Sequence, residues 1–290
     1  MRYEGRIFRP PSEAYSLIIQ TTIGCSYNEC TFCSMYKEKD FRVRGLDNII
    51  QDLNDARHHY GAVDKIFLAD GDALVLPTES LLMILDTVAT LFPEVSRVSA
   101  YGSPWDVLRK SDEELAALRS AGLGMIYIGA ESGSDLVLSA VKKGATSGEI
   151  IKAISMIEAA GIKASVTFIS GLGGAELWEE HATATGRMIT RAQPSYVGLL
   201  TLMISPDAPI SREIENGSFK LLAPAGVIDE TILMLRNANP VNECVFRSNH
   251  ASNYLSLRGD LPADRDALIA QLEAARVDSS SLKDERFRML

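Results

Sequence analysis

Gly24-Cys25-Ser26-Tyr27-Asn28-Glu29-Cys30-Thr31-Phe32-Cys33 follows closely on the apolar run Tyr15-Ser16-Leu17-Ile18-Ile19-Gln20. Three of the four cysteines of the chain, Cys25, Cys30 and Cys33, fall within these nine positions, 25–33. The apolar run reads as a strand, so the cysteines sit on the loop after it. Thiolates gathered on such a loop point to a metal site, because the thiolate is the ligating form of cysteine. An iron–sulfur cubane normally takes four thiolates. The fourth cysteine, Cys244, lies far down the chain. Three ligands leave one iron with an open position, which is where a metal does chemistry rather than structure.

Two plainer readings of the cysteines are weaker. A structural zinc site needs a fourth ligand, usually from a second Cys-x-x-Cys or a His pair. His58 and His59 are adjacent, so on a helix they point to different faces. A disulfide requires an oxidising compartment, and Met1-Arg2-Tyr3-Glu4-Gly5-Arg6 contains no apolar signal region. The expectation is a cytoplasmic, reducing setting.

Working outward, short apolar runs predict strands at 15–22, 65–70, 97–102, 125–130, 164–171 and 196–203. Helical patterns lie between them. Leu46, Ile49, Ile50, Leu53 and Ala56 share one helical face. Ser111 with Glu114 forms a capping box for a helix over 112–121, ended by Gly122. Ser147 is expected to cap a helix running to 160, with Gly161 after it. Strands alternating with helices imply a parallel sheet with right-handed crossovers. Six such units fit an α/β fold, a partial (β/α)6 TIM-like barrel with its chemistry at the carboxyl ends of the strands. After Met203 the pattern changes: Ser205-Pro206-Asp207-Ala208-Pro209 reads as a turn, and helical segments follow, punctuated by Pro224, Gly226 and Pro240. The expected division is a barrel at 1–204 and a C-terminal cap at 205–290, with a loosely ordered tail over 278–285.

Composition sets outer bounds. The chain has 290 residues, 46% hydrophobic and 23% charged, a soluble globular profile long enough for a real core. No apolar run reaches the length of a membrane span. A net charge of −9 argues against a phosphate-tracking surface, so nucleic acid is not an expected partner.

The cysteine run resembles the cluster-binding motif of the radical S-adenosylmethionine (SAM) superfamily. That motif is Cys-x3-Cys-x2-Cys with an aromatic residue before the third cysteine, here Phe32; this chain has four residues between Cys25 and Cys30. The resemblance implies that Cys25, Cys30 and Cys33 hold a [4Fe–4S] cluster and that SAM chelates the unique iron. One electron, from a reductant such as flavodoxin or ferredoxin, then yields methionine and a 5′-deoxyadenosyl radical that abstracts hydrogen from a small-molecule substrate. Asp70-Gly71-Asp72 stands where the family has a Gly-Gly-Glu-like turn holding the SAM amino group; the plainer reading is a turn with solvated carboxylates. Ile128-Gly129-Ala130-Glu131-Ser132-Gly133 resembles the Gly-x-(Glu/Gln)-Ser-Gly segment of the subgroup of coproporphyrinogen dehydrogenases, methylthiotransferases and the elongator catalytic subunit. This implies that Glu131 and Ser132 meet the ribose or methionine part of SAM. It also implies that Lys143, or its neighbour Lys142, pairs with the SAM carboxylate. Thr167 falls at a ribose-contacting position, and the turn from Gly171 would let the adenine lie against backbone.

The segment Cys244-Val245-Phe246-Arg247-Ser248-Asn249-His250-Ala251-Ser252-Asn253-Tyr254 concentrates reactive side chains. It reads either as a structural cap or as the substrate end of the site. In the second case Arg247 and Asn253 bind substrate, His250 or Tyr254 moves a proton, and Cys244 returns a hydrogen atom. With only Cys244 left over, a second cysteine-bound cubane is not expected, which counts against sulfur insertion. A non-catalytic iron–sulfur or haem carrier, or a zinc-stapled barrel, are the alternatives.

Overall fold

Strands buried on both faces read as unbroken apolar runs, and the computed structural model, which describes residues 2–289, has strands at each of the six expected places. Two compact units divide the chain. The first comprises Met1–Asn28, Met35–Ile128 and Met156–Ala164. The second comprises Glu29–Ser34, Gly129–Ser155 and Ser165–Leu290.

In the first unit, β1 (Leu17–Gln20) leads into a short ribbon of β2 (Thr22–Ile23) with β3 (Arg42–Val43). There follow α1 (Leu46–His59), β4 (Lys65–Ala69), α2 (Thr78–Leu91), β5 (Arg97–Tyr101), α3 (Pro104–Leu108), α4 (Asp112–Ser120) and β6 (Leu123–Glu131), whose last three residues enter the second unit. The pairings β1–β4, β4–β5 and β5–β6 are all parallel, with Leu17 opposite Ile66, Lys65 opposite Arg97 and Tyr101 opposite Tyr127. Ile49, Leu53 and Ala56 of α1 are buried, as the helical spacing predicts. The Ser111–Glu114 capping box forms with both reciprocal hydrogen bonds. One acid is used as a brace. Glu13 is buried and takes an ion pair from Arg97 and a hydrogen bond from the Tyr127 hydroxyl, each at 2.5 Å.

The second unit contains α5 (Asp135–Ala140), most of α6 (Ser147–Ala159), most of β7 (Lys163–Ser170), α7 (Gly174–Ala192), β8 (Tyr196–Thr201), α8 (Ile210–Glu215), α9 (Pro224–Asn237), β9 (Cys244–Ser248), β10 (Leu257–Leu261) and α10 (Arg265–Val277). Strands β7, β8 and β9 are parallel, and β10 turns back against β9 with Cys244 opposite Leu261. The cap of α6 is one residue earlier than expected: Thr146, not Ser147, exchanges hydrogen bonds with Glu149.

The C-terminal region differs most from its sequence reading. It contains two strands as well as helices. β9 alternates buried and half-buried residues around Arg247 and Ser248, a pattern easily taken for a polar loop. The tail forms 3₁₀ turns at Ser279–Ser281 and Glu285–Phe287, and Arg288 after them is buried. No helix among the described residues is long and apolar enough to cross a membrane.

Helices α7 and α9 approach closely at Gly186, where an added Cβ would lie 2.3 Å from the Met234 carbonyl oxygen. Backbone on that side cannot rotate away. Gly186→Ala is therefore expected to cost about 1–3 kcal/mol, the range for overpacking. Gly148, with nothing within 4 Å of an added Cβ, is the control: Gly148→Ala should be neutral or stabilising by about 0.4–1 kcal/mol. Urea unfolding of the two variants checks this, and wild-type stability in Gly186→Ala would sink it.

Candidate functional site

The cysteine loop begins in the first unit. After β2 the chain turns at Gly24, whose φ of +77° favours glycine. Gly24 donates its N–H to the Asp70 carboxylate at 3.1 Å, and the Gly71 N–H donates to the Gly24 carbonyl at 3.1 Å. An added Cβ at Gly71 would lie 2.9 Å from that carbonyl, 2.9 Å from the Tyr36 ring and 3.0 Å from Cys25 Cα. Gly71 is thus required for the carboxyl end of β4 to lie against the start of the cysteine loop.

The flanking acids act as fasteners. Asp70 is fully buried and ion-paired to Lys39 at 2.5 Å. Burial and the neighbouring Asp70 raise the Tyr36 phenol far above its ordinary range. Asp72, also fully buried, accepts from the Ser26 hydroxyl at 2.8 Å and the Ser103 N–H at 3.3 Å. Burial, and then the Asp106 carboxyl beside it, push its pKa well up. Sequence placed both carboxylates against an ammonium. In the structure both are turned to donors of their own unit, and Asp72 ties Ser26, next to Cys25, to the start of α3.

The rest of the loop belongs to the second unit. Cys30 and Cys33 are half-buried and bracket one turn, closed by a Cys33 N–H to Cys30 carbonyl bond of 3.4 Å. Thr31 pins that turn. Its N–H donates to the Val141 carbonyl at 3.0 Å, and its carbonyl accepts from the Ile210 N–H at 2.9 Å. Phe32 packs on the apolar cluster of Val137, Val141, Leu172, Leu202, Ala208 and Ile210. Its aromatic ring therefore anchors the Cys-x-x-Cys turn to the core.

At the end of β6, Glu131 has a left-handed φ of +65°. That is uncommon for a side chain with a Cβ and is held by its surroundings. Its carboxylate accepts from Lys143 Nζ at 2.9 Å. An added Cβ at Gly129 would fall 2.1 Å from Glu131 Oε1 and 3.1 Å from Lys143 Nζ, which explains the Gly-x-Glu spacing. Of the two lysines, Lys143 is the one on Glu131; Lys142 is exposed. Ser132 is fully buried, with its hydroxyl 2.7 Å from His181 Nδ1. Gly133 donates to the Thr185 hydroxyl at 3.0 Å. Thr167 is half-buried on β7, opposite Gly198. Gly171, with φ +81°, donates to Glu230 at 2.7 Å.

His181 and Glu230 were missed in the sequence. Each lies on a buried helix face together with a threonine, Thr185 on α7 and Thr231 on α9, and the only signal was that a buried acid or imidazole must have a partner.

The C-terminal candidates separate. Cys244 opens β9, fully buried, level with the start of β8. His250, Asn253 and Tyr254 follow the other end of β9, a strand's length of roughly 15 Å away. The hydrogen-donor role assigned to Cys244 beside them is therefore corrected. Arg247 is also a brace rather than a free anchor, donating to the Phe246 and Gly259 carbonyls at 2.8 and 2.9 Å. Asn253 is buried against the end of β8, accepting from the Thr201 hydroxyl at 2.9 Å and donating to the Leu199 carbonyl at 2.8 Å. The Tyr254 hydroxyl donates to Glu285 at 2.7 Å, and its ring lies 4.1 Å from the Arg288 guanidinium. Burial and Glu285 push its pKa up to about 12. No group of three or more His, Cys, Asp or Glu among the described residues, the three cysteines of the loop included, is placed to hold a metal ion.

The profile of the Radical SAM superfamily matches residues 19–184, more than half of the chain. The chain belongs to the radical SAM superfamily. Members of this superfamily of enzymes use a [4Fe–4S] cluster and SAM. The 4′-phospho-dehydrooxetanocin synthase of Priestia megaterium is 30% identical over 173 residues, covering 53% of this chain and 23% of that protein. The anaerobic magnesium-protoporphyrin IX monomethyl ester cyclase of Cereibacter sphaeroides is 27% identical over 195 residues, covering 67% of this chain and 31% of that protein. The chain thus spans about a quarter to a third of the length of these relatives. The coproporphyrinogen III oxidase of Escherichia coli shares the fold, with a TM-score of 0.59 at 17% identity over 76% of this chain and 52% of that one. The α/β architecture is accordingly the partial barrel of the superfamily.

His250 gives this region a measurable pH dependence. Its Nδ1 accepts from the Ser252 N–H at 3.1 Å, which requires the neutral ring. Burial, and then the Lys283 charge, lower its pKa from 6.5. A folded value below the unfolded one means the contribution is intact above about pH 6.5 and is lost as the pH falls below it. Stability is expected to decline from pH 7.5 to 5.5, and less steeply in His250→Asn, which keeps an acceptor but cannot titrate. Urea midpoints across that range decide it; identical slopes would rule out His250 as the source.

Proposed function

We propose that this chain reductively cleaves SAM and abstracts hydrogen from a small-molecule substrate. The observation that carries the reading is the Cys30–Cys33 turn, pinned through both backbone groups of Thr31 and backed by Phe32, following a Cys25 set by the Gly24–Gly71 contact. Half-buried thiols are the donor type that iron–sulfur ligation takes, so the chemistry of the three side chains, rather than their spacing, is what fits the cluster. Cys25, Cys30 and Cys33 would hold it, with Cys244 outside the set. When bound, the cluster and SAM supply a 5′-deoxyadenosyl radical by one-electron cleavage of a sulfur–carbon bond.

The chain's own residues bind and position. Lys143 offers a point charge for a carboxylate. Glu131 offers an acceptor for ammonium or ribose hydroxyls. Thr167 offers a hydroxyl that donates and accepts, and the turn that begins at the buried Gly171 is the stretch of backbone against which adenine would lie. Ser132 sets the turn that carries Glu131. Asp70, Gly71 and Asp72 keep the start of the cysteine loop in place. Residues 1–204 serve as the catalytic barrel and 205–290 as a cap, with His250, Asn253 and Tyr254 toward the substrate. The electron comes from a flavodoxin or ferredoxin in the cytoplasm.

Anaerobically reconstituted protein is expected to hold about one [4Fe–4S] cluster, lost in Cys25→Ala, Cys30→Ala and Cys33→Ala and kept in Cys244→Ala. With dithionite, the wild type should release 5′-deoxyadenosine and methionine. Iron content, the visible absorption band and chromatography of the nucleoside read these outcomes. A full cluster in Cys30→Ala, or no deoxyadenosine from loaded wild type, would overturn the reading.

A further inference from the structure

We infer that His181 and Glu230 are positioning residues for the SAM-facing turns after β6 and β7, an inference that rests on the reading of Glu131 and Gly171 as SAM contacts. The turn 131–133 begins with a non-glycine residue in the left-handed region. It keeps that shape only if its neighbours over-determine it. They do so through Ser132. Its hydroxyl meets His181 Nδ1 at 2.7 Å and accepts from the Ser134 N–H at 3.0 Å. The opposite ring nitrogen, Nε2, faces only acceptors: the Ile169 carbonyl at 3.1 Å and Glu230 Oε1 at 3.8 Å. Hydrogen-bond logic therefore puts the imidazole proton on Nε2 and leaves Nδ1 to accept from Ser132. One imidazole on α7 thus links the ends of β6 and β7.

Glu230 fastens the second turn. Its Oε1 accepts from the Ser170 hydroxyl and from the Gly171 N–H, both at 2.7 Å. Oε2 is buried with no hydrogen-bond partner. An acid with one oxygen unsatisfied in the core is costly. It is present on α9, pointed at the turn that carries Gly171, where a leucine would pack without that cost. Burial raises its pKa above the ordinary carboxylate value, opposed by the neighbouring His181 ring, the Ser170 hydroxyl and the Gly171 N–H. Neither His181 nor Glu230 has the exposure to touch a ligand. Their action is through Ser132 and Gly171.

The test separates the two arms of His181. His181→Asn places an amide oxygen near the Nδ1 position and keeps the Ser132 link. His181→Gln reaches the Nε2 position and loses that link. Calorimetry of SAM binding to cluster-loaded, unreduced protein should show affinity within about threefold of wild type for His181→Asn. It should show a loss of about tenfold or more for His181→Gln and Glu230→Leu, on the scale of one lost hydrogen bond. Hydrogen exchange of protein without added SAM should be faster over 130–134 in His181→Gln and over 169–172 in Glu230→Leu. Equal affinities for Asn and Gln at 181, or wild-type binding by Glu230→Leu, would overturn the inference while leaving the SAM reading intact. Wild-type protein that binds no SAM, or Glu131→Ala that binds it as well as wild type, would overturn the SAM reading and this inference with it. Should Glu230→Leu fail to fold, the two His181 variants decide the matter alone.

Discussion

A methyl group at residue 71 has nowhere to go. The Gly24 carbonyl, the Tyr36 ring and Cys25 Cα all lie within 3.0 Å of the position it would take. That crowding brings the end of β4 against the first cysteine, and much else in the first unit serves it. The Gly71 N–H is tied to the Gly24 carbonyl, and the Gly24 N–H to Asp70. Lys39 neutralises Asp70, a charge that burial alone would penalise by several kcal/mol. A loop that must present thiolates has to be stiff before it binds anything, because ordering it at the moment of binding would subtract from affinity. Rigidity here comes from backbone contact first and buried charge second.

The second unit reaches the same end by other means. Thr31 uses both of its backbone groups to pin the Cys30–Cys33 turn, and Phe32 adds apolar burial. An aromatic residue before the last cysteine is thus a packing requirement as much as a family habit. The Glu131–Lys143 pair follows a similar logic. Gly129 leaves room for the carboxylate, so the Gly-x-Glu spacing records a steric need. Two opposite charges, each only slightly exposed, are held ready in a half-dry setting. There they cost less than isolated buried charges.

What was legible in the sequence tracks how local the physics is. Strands such as β4, with Ile66-Phe67-Leu68-Ala69 wholly buried, announce themselves by composition. The capping box at Ser111 is a contact between residues three apart, and it formed as read. The cap of α6 slipped from Ser147 to Thr146 because two adjacent hydroxyl residues offer the same chemistry to Glu149. β9 was hidden because a half-buried strand needs polar residues on one side. Arg247 filled that need and looked like a site residue, while Ser248 is a polar residue on the buried face. The protein partners of Asp70 and Asp72, among them Lys39 and Ser26, were not legible, since sequence shows an acid and not the direction it faces.

Cys244 illustrates the limit most sharply. Its chemistry suited a hydrogen donor, and its distance from His250 in the sequence is short. A strand converts short sequence distance into long spatial distance at roughly 3.3 Å per residue. Five residues of β9 therefore carry the chain from one end of the strands to the other, leaving the thiol buried at the amino end and His250 past the carboxyl end. Arg288 shows the converse. It lies beyond a tail that composition marks as loose. Yet its guanidinium donates to the Leu202 and Ser252 carbonyls at 2.9 and 2.6 Å and to the Tyr254 hydroxyl at 2.6 Å. A planar five-donor group can satisfy several carbonyls at once, which a lysine cannot. The last turn of the chain is consequently bound to the end of β8, and the segment around Tyr254 gets its shape from a residue that no local pattern connects to it.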